Sequence, residues 1–407
     1  MGTGALTAAL FQIPNEHIVF TSDPIQKSRS EDAIIAFTWD HFLKDPSDPT
    51  WLVRFPMVKA SLRAMDAVAE WVAQSEAVAE GWTASYFSVA GASKRGWTTW
   101  LVGAVDPGRV KAIAPIVLDA LNFIPFCHHQ WKAYGGWSFA LSDYYDEDIM
   151  DRIDTDNMQT LAELEDPFYY LERLTMPTMV INAVGDEFQQ PDDTHFWWDR
   201  LPEPKHFLMV PNAEHSLATG IAEAVPAIGT WIKYVLDGRP VPTMDWAIDN
   251  STGAISVNLH TDPVDKATLH VRKYWANSWG GNKRRDFRLL NLDDPCESKI
   301  VSDGTCFNTK VFWQFEDLPP VVGSNGLQYM ATHEAPTDGT YVAFFVDVTY
   351  DRDPLTDEEL GSPEAWFPDF IPRNRPGQLE FTTEVSIIPD IYPFEDCYMD
   401  GCHGELV

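Results

Sequence analysis

Positive charge is scarce in this chain. Its 407 residues set only 29 lysines and arginines against 61 aspartates and glutamates, a formal charge of −32. Phosphate binding needs a cationic face, so nucleic acid and anionic membrane are disfavoured as partners. A cationic partner or substrate is one complement to such acidity, and acid spread over a solvated surface for solubility is the plainer reading. Long apolar runs are also missing. No stretch is long enough to span a bilayer, and the opening Met-Gly-Thr-Gly-Ala-Leu-Thr lacks the basic n-region of a signal peptide. There is no internal repeat and no low-complexity segment. What is present, 45% hydrophobic residues, can bury large cores, and the length exceeds that at which one core usually stops growing. Two domains are therefore expected.

Cysteine is sparse, and its five positions are not spaced as a zinc site. Cys296 and Cys306 flank a polar loop, Cys397 and Cys402 lie in an acidic tail, and Cys127 stands alone. Two local pairs and one odd thiol predict the bridges Cys296–Cys306 and Cys397–Cys402 with Cys127 free, an arrangement suited to an oxidising compartment. A metal clip of the tail pair with His403 is the alternative, and no second ligand pair lies nearby. Asn250-Ser251-Thr252 is a glycosylation acceptor that agrees with an extracellular setting.

Short β-like runs alternate with helical ones up to about residue 235, after which the chain is β-branched, aromatic and punctuated by turns. The shift predicts a first domain over 1–240, a second over 243–390 and a cysteine-containing tail over 391–407. In the first, a helix is predicted over 56–79 and strands at Tyr86 to Ala90, Val110 to Val117, Thr178 to Ala183 and His206 to Val210. That order fits a mostly parallel sheet covered by helices. In the second, Ala254 to Leu259, Ala267 to Tyr274, Thr309 to Phe315, Tyr341 to Tyr350 and Phe381 to Ile388 alternate as strands of an antiparallel β-sandwich.

The chemistry concentrates at Gly91-Ala-Ser93-Lys94-Arg95-Gly96, between a strand and a helix. A nucleophile elbow needs small neighbours around its serine so that the backbone can turn sharply. Gly91 supplies one; Arg95 stands where the second glycine usually does, and Gly96 comes one residue late. A serine flanked by glycines can equally be a plain turn, so its partners decide. After the strand ending at Ala183 comes Val-Gly-Asp186-Glu187, and after the strand ending at Val210 comes Pro-Asn-Ala-Glu-His215. Serine, acid and base in that order, each after a strand's carboxyl end, read as a triad: Ser93 the nucleophile, His215 the base, Asp186 the orienting acid, with the Lys94 N–H an oxyanion donor. The chemistry is hydrolysis of an ester or peptide bond through an acyl-enzyme, with no cofactor and no metal.

Gly-Ala-Ser-Lys-Arg-Gly-Trp-Thr-Thr-Trp-Leu, Ala-Pro-Ile-Val-Leu-Asp-Ala-Leu-Asn, Gly-Asp-Glu-Phe-Gln-Gln-Pro-Asp-Asp and Pro-Asn-Ala-Glu-His-Ser together resemble the PhoPQ-activated pathogenicity-related proteins, over nearly the whole chain. The resemblance implies an α/β-hydrolase domain followed by a β-sandwich. Its best described member is a secreted autocrine signal that represses proliferation and repels cells. It thereby implies a second function: an extracellular signalling protein, meeting a cell-surface receptor, that uses the hydrolase fold as a binding surface. It also implies that the chain enters the sheet late, with the apolar run Leu6 to Ile13 as its first strand at or near an edge. The sheet's N-terminal strands, one oxyanion donor and any loop closing over Ser93 from that side are then absent, unless residues 20–50 supply them.

Residues 121–175, rich in aromatics including Tyr134, Trp137 and Tyr144, read as a cap over the serine. Trp137, Tyr134 and Glu187 are the candidate substrate contacts for a small ester or peptide, which the acidity suggests can be cationic; aromatic packing is the competing account. Asp192 and Asp193 can hold a substrate amine or calcium, or be a solvated loop. His128 and His129, as neighbours, point apart and do not make a metal pair.

Overall fold

The computed structural model describes residues 4–78, 80–260, 269–280, 283–292, 305–351 and 377–407. A small antiparallel pair, β1 (Ile18–Val19) and β2 (Ser28–Arg29), leads into helices α1 (Glu31–Lys44) and α2 (Arg54–Gln74). Then come β3 (Phe87–Ala92), α3 (Lys94–Val105), β4 (Val110–Ile116), α4 (Phe123–Tyr134), α5 (Ser142–Asp146), α6 (Asp156–Glu165), β5 (Thr178–Ala183), β6 (Lys205–Val210) and α7 (Ile221–Leu236). β3, β4, β5 and β6 form one parallel sheet in sequence order. All six residues of β5 are buried, as expected of a parallel strand covered on both faces.

The β-rich part contributes two antiparallel sheets. β7 (Met244–Ile248), β8 (Ile255–Leu259) and β13 (Gln328–Ala331) make one; β9 (Leu269–Asn277), β12 (Gln314–Asp317), β14 (Val342–Asp351), β15 (Gln378–Thr382) and β16 (Ser386–Ile388) make the other. β10 (Leu290–Asn291) and β11 (Cys306–Phe307) pair separately. The expected strand at Thr309 to Phe315 is instead a short 3-10 turn over Thr309–Val311 before β12. The run Phe381 to Ile388 is split, because Thr383 N donates to Val346 O and Thr383 Oγ1 accepts from Val346 N, and the chain then resumes on β14 as β16.

Apolar packing does not divide at the compositional break. Ala112, Met179, Ile181 and Leu208 of the parallel sheet share a cluster with Trp231 of α7 and with Ile255, Val257, Phe344 and Val346 of the β-rich part. The opposite sheet face, with Ile113, Val180 and Phe207, packs on α1, α3 and residues 121–175 in a cluster that also takes Ala343 and Phe345. β14 thus sends alternate side chains into two cores, the period-2 consequence of a strand buried on both sides. The link is also polar: Met209 N of β6 donates to Thr382 Oγ1 of β15 at 2.9 Å.

Leu6 to Ile13 corrects the sequence reading. No strand forms there; Leu6, Leu10 and Phe11 are exposed, and among the described residues the edge of the parallel sheet is β3 itself. The side of Ser93 expected to lie open is met by α1, whose Glu31 and Asp32 pair with Lys94 Nζ at 2.9 and 2.8 Å.

The tail is bridged by Cys397–Cys402, so the pair offers no metal clip, and His403 instead meets Asp151 and Tyr145. Cys306 is disulfide-bonded, whereas Cys296 lies outside the described residues. Cys127 is free and buried. Asn250 sits on an exposed turn. Peptide mapping without reduction is expected to return the Cys397–Cys402 bridge, with Cys127 alkylated only after denaturation; thiols at 397 and 402 in the native protein would contradict it.

Candidate active site

Ser93 lies at the junction of β3 and α3 with φ 56° and ψ −129°. A residue carrying a β-carbon holds that backbone only where its surroundings over-determine it. The surroundings are the two glycines. A Cβ on Gly91 would stand 2.6 Å from Arg95 O, and one on Gly96 would stand 2.9 Å from Ile116 O. Those close approaches let the elbow fold back on β4, where Ser93 N donates to Ile116 O at 2.9 Å. Gly96, one residue late, is therefore the sterically demanded glycine. Arg95 turns outward and grips Glu31 with both terminal nitrogens, at 2.6 and 2.9 Å.

The loops after β5 and β6 bring the other two residues to the serine. Ser93 Oγ lies 2.8 Å from His215 Nε2, and His215 Nδ1 lies 2.7 Å from Asp186 Oδ2. With Nδ1–H donating to the carboxylate, Nε2 is left to accept the serine proton. The second oxygen, Asp186 Oδ1, accepts the backbone amides of Phe188 at 2.7 Å and Gln189 at 3.3 Å, which fixes the carboxylate. The Phe188 ring lies 4.4 Å from the imidazole. Burial pulls the His215 pKa down, but the charge and hydrogen bond of Asp186, with Glu187 and Asp32 behind it, outweigh burial and leave it raised. Glu187 accepts the His215 backbone N–H at 3.1 Å, and burial beside the Asp186 charge pushes its own pKa up to about 7. It supports the histidine loop and is not among the cavity-lining residues.

Lys94 N–H is the first amide of α3, where the helix dipole favours negative charge. The Lys94 side chain is buried, with Nζ between Glu31 and Asp32. Ser93 and His215 open onto a cavity that is partly continuous with solvent. Its walls are Trp39, Trp97, Leu118, Phe123, Phe126 and Tyr144, and Asp32 and Arg54 bring charge to it. Phe123, Phe126, Tyr144, Ile149 and Ile153, from residues 121–175, are among the lining residues.

Tyr134 and Trp137 do not reach the cavity. Trp137 is fully buried and donates Nε1–H to Cys402 O at 2.7 Å, while Tyr134 lies under the Arg288 guanidinium, 4.5 Å from its ring centroid. Both hold the tail and the β-rich part against α4. The aromatic density of 121–175 carried no information about which rings face inward. Trp39 and Arg54, on α1 and α2, were missed because nothing in linear spacing ties them to Ser93. Phe123 with Phe126, and Ile149 with Ile153, follow helical intervals that one face of a cap element requires.

Asp192 and Asp193 are neither solvated nor open to a ligand. Arg285 takes Asp192 in a two-point pair at 3.0 and 2.6 Å, and His129 Nδ1 lies 2.7 Å from Asp193 Oδ1. His128 turns to Asp154 and Asp396 instead, at 3.0 and 2.7 Å.

A family profile described as PhoPQ-activated pathogenicity-related protein matches residues 1–288. Autocrine proliferation repressor protein A of Dictyostelium discoideum is 37% identical over 421 aligned residues, covering 100% of this chain and 76% of its own length. Among solved structures, Est1E from Butyrivibrio proteoclasticus matches at 16% identity and TM-score 0.30, over 46% of this chain and 70% of its own. The acetyl xylan esterase from Paenibacillus sp. R4 matches at 20% and TM-score 0.32, over 41% and 49%. The α/β-hydrolase character of the fold rests on the sheet order and the elbow of this chain rather than on those likenesses.

Proposed function

Since the chain belongs to the PhoPQ-activated pathogenicity-related protein family, and its elbow serine is hydrogen-bonded to a histidine held by an aspartate, we propose that it is a serine hydrolase cleaving an ester or peptide bond through an acyl-enzyme. The observation that carries this reading is the unbroken chain Ser93 Oγ, His215, Asp186 at 2.8 and 2.7 Å, opening on a walled cavity.

In the proposed reaction, Ser93 Oγ attacks the substrate carbonyl as its proton passes to His215 Nε2. Asp186 keeps the imidazole in the accepting tautomer and stabilises the imidazolium. The Lys94 N–H, at the start of α3, donates to the oxyanion; one such donor is worth about a hundredfold or more in turnover. The leaving group takes the proton back from His215. Water, deprotonated by the same histidine, then releases the acyl group and restores the serine. Because the base must be neutral, and its pKa is raised, the rising limb of the pH–rate profile belongs above the ordinary histidine value of about 6.5.

A second reading, an extracellular signal that uses this fold to bind a receptor, draws support from the relative named as a proliferation repressor. The tail disulfide and the exposed Asn250 support secretion and glycosylation. A fluorophosphonate probe separates the two. The wild-type chain is expected to label stoichiometrically and Ser93→Ala not at all. Labelling absent from both, with the fold intact, would leave only the binding role.

A further inference from the structure

Arg54 is the anomaly of the cavity. It lines a space walled by Trp39, Trp97, Phe123 and Phe126, yet it is a guanidinium at 1% exposure. Its carbon centre lies 3.8 Å from the Trp97 ring centroid. A guanidinium cannot shed its proton and has five N–H donors to place. Among the described residues, its side-chain hydrogen bonding amounts to one long contact, NH1 to Lys94 O at 3.5 Å, and Nε faces Glu165 without making a hydrogen bond.

The carboxylate nearest to it meets it at a single loose point. Glu165 Oε2 stands 3.5 Å from Arg54 Nε and is already taken by Trp39 Nε1–H at 2.7 Å, while Glu165 Oε1 is buried and makes no hydrogen bond by strict geometry among the described residues. Burial raises the Glu165 pKa, toward the neutral form, against the pull of Arg54. The other charges around the cavity are matched among themselves: Lys94 with Asp32 and Glu31, and Arg95 with Glu31. A buried cation with spare donors and an incomplete counter-ion is costly unless an anion completes it. It contacts the carbonyl of Lys94, the residue after Ser93, and lines the same cavity as Ser93.

We propose that Arg54 is the specificity residue of this cavity and receives a carboxylate at the far end of the acyl group, so that the substrates are half-esters or half-amides of short dicarboxylic acids. This rests on the hydrolase reading above. The apolar walls take the methylene chain, Ser93 attacks the near carbonyl, and the guanidinium pairs with the distal carboxylate. Whatever the acidity of the chain as a whole, the charged side chains lining this cavity are Asp32, Lys94 and Arg54, and the first two are paired with each other.

Two measurements test it separately. In the first, the p-nitrophenyl half-esters of glutaric and adipic acid are compared with neutral p-nitrophenyl esters of matched length. The wild type is expected to favour the half-esters by about tenfold or more in kcat/KM, the scale of one charge-assisted hydrogen bond. Arg54→Met should erase that preference while Arg54→Lys keeps part of it. In the second, calorimetry on Ser93→Ala reads binding of monomethyl glutarate and monomethyl adipate without turnover, and methyl pentanoate should bind more weakly. Carboxylate binding without hydrolysis of any ester would sink the hydrolase and spare the site. Hydrolysis with no preference for the half-esters, or equal binding of acid and neutral ligands, overturns the proposal, whether or not the Arg54→Met protein folds.

Discussion

Asp186→Asn is expected to lower kcat for a small activated ester by about four orders of magnitude while KM changes little. The size follows from the tautomer. An asparagine can present its amide hydrogens to His215 Nδ1, which then accepts, and Nε2 carries the hydrogen and cannot take the serine proton. The fold should be unaffected, because the oxygen that holds the loop, Asp186 Oδ1, accepts the amides of Phe188 and Gln189, and an asparagine carbonyl can do the same. The pH dependence supplies a second readout. Burial lowers the His215 pKa and the Asp186 charge raises it, so removing the charge lets burial prevail. The residual activity should rise at lower pH than in the wild type. Glu187 moves the same way, since the Asp186 charge is one of the causes that hold it near 7. Steady-state kinetics from acid to mildly alkaline pH check both points. A fall of less than about tenfold would mean that Asp186 does not orient the base.

The parts of this site that were legible in the sequence are those fixed by chain-local steric rules. Ser93 was visible because an elbow needs glycines beside it, and Asp186 and His215 because each follows a strand whose apolar run is bounded by turn residues. The strands Thr178–Ala183 and Lys205–Val210 emerge almost at their expected bounds because a parallel strand covered on both faces leaves a nearly continuous apolar run. Leu6 to Ile13 fails by the same rule. An apolar run without a neighbouring strand to pair with satisfies no ladder, and periodicity cannot report whether a neighbour exists.

The cavity was less legible. Tyr134 and Trp137 lie in the same aromatic stretch as Tyr144, and only Tyr144 turns to the serine, with its hydroxyl donating to Asp32 at 3.0 Å. What separates them is the tail, which returns from residues beyond 390 to bury Trp137 against Cys402 and Leu406. Arg54 and Asp32 were hidden because their role depends on how α1 and α2 pack against Ser93, and no rule of spacing encodes that. Asp192 and Asp193 looked solvated because their partners, Arg285 and His129, lie 93 and 64 positions away.

Arg285→Met is expected to destabilise the protein by about 3–5 kcal/mol, the cost of leaving one member of a buried ion pair without the other. The guanidinium, from the segment between β9 and β10, reaches Asp192 at two points and the unprotonated Nε2 of His129 at 3.0 Å. His129 Nδ1–H then donates to Asp193 Oδ1, and Asp193 Oδ2 accepts Gln190 N–H at 2.6 Å. These contacts close the loop that begins at Asp186, so the variant should also lose turnover. The double variant Arg285→Met/Asp192→Asn should recover part of the stability, because the stranded charge goes with its partner. His129 supplies a pH signature. Burial leads its causes, opposed by Asp192 and assisted by Arg285, His195 and Lys132, and its folded pKa falls to about 3. Between that value and the unfolded value of about 6.5, the unfolded chain takes up a proton that the fold refuses, so this group makes stability fall as pH falls through the window. Asp192 is depressed too, so its contribution is present above the ordinary carboxylate range and is lost only in stronger acid. Asp193, which burial pushes upward, contributes the opposite slope; glutamine at position 129 can keep an amide N–H on its carboxylate in place of His129 Nδ1–H, so that slope is carried by wild type and His129→Gln alike. Denaturant midpoints compared near neutrality and near pH ~4 should therefore fall less in His129→Gln than in the wild type. Equal slopes, together with an Arg285→Met protein as stable as its parent, would show that water rather than the network holds this loop.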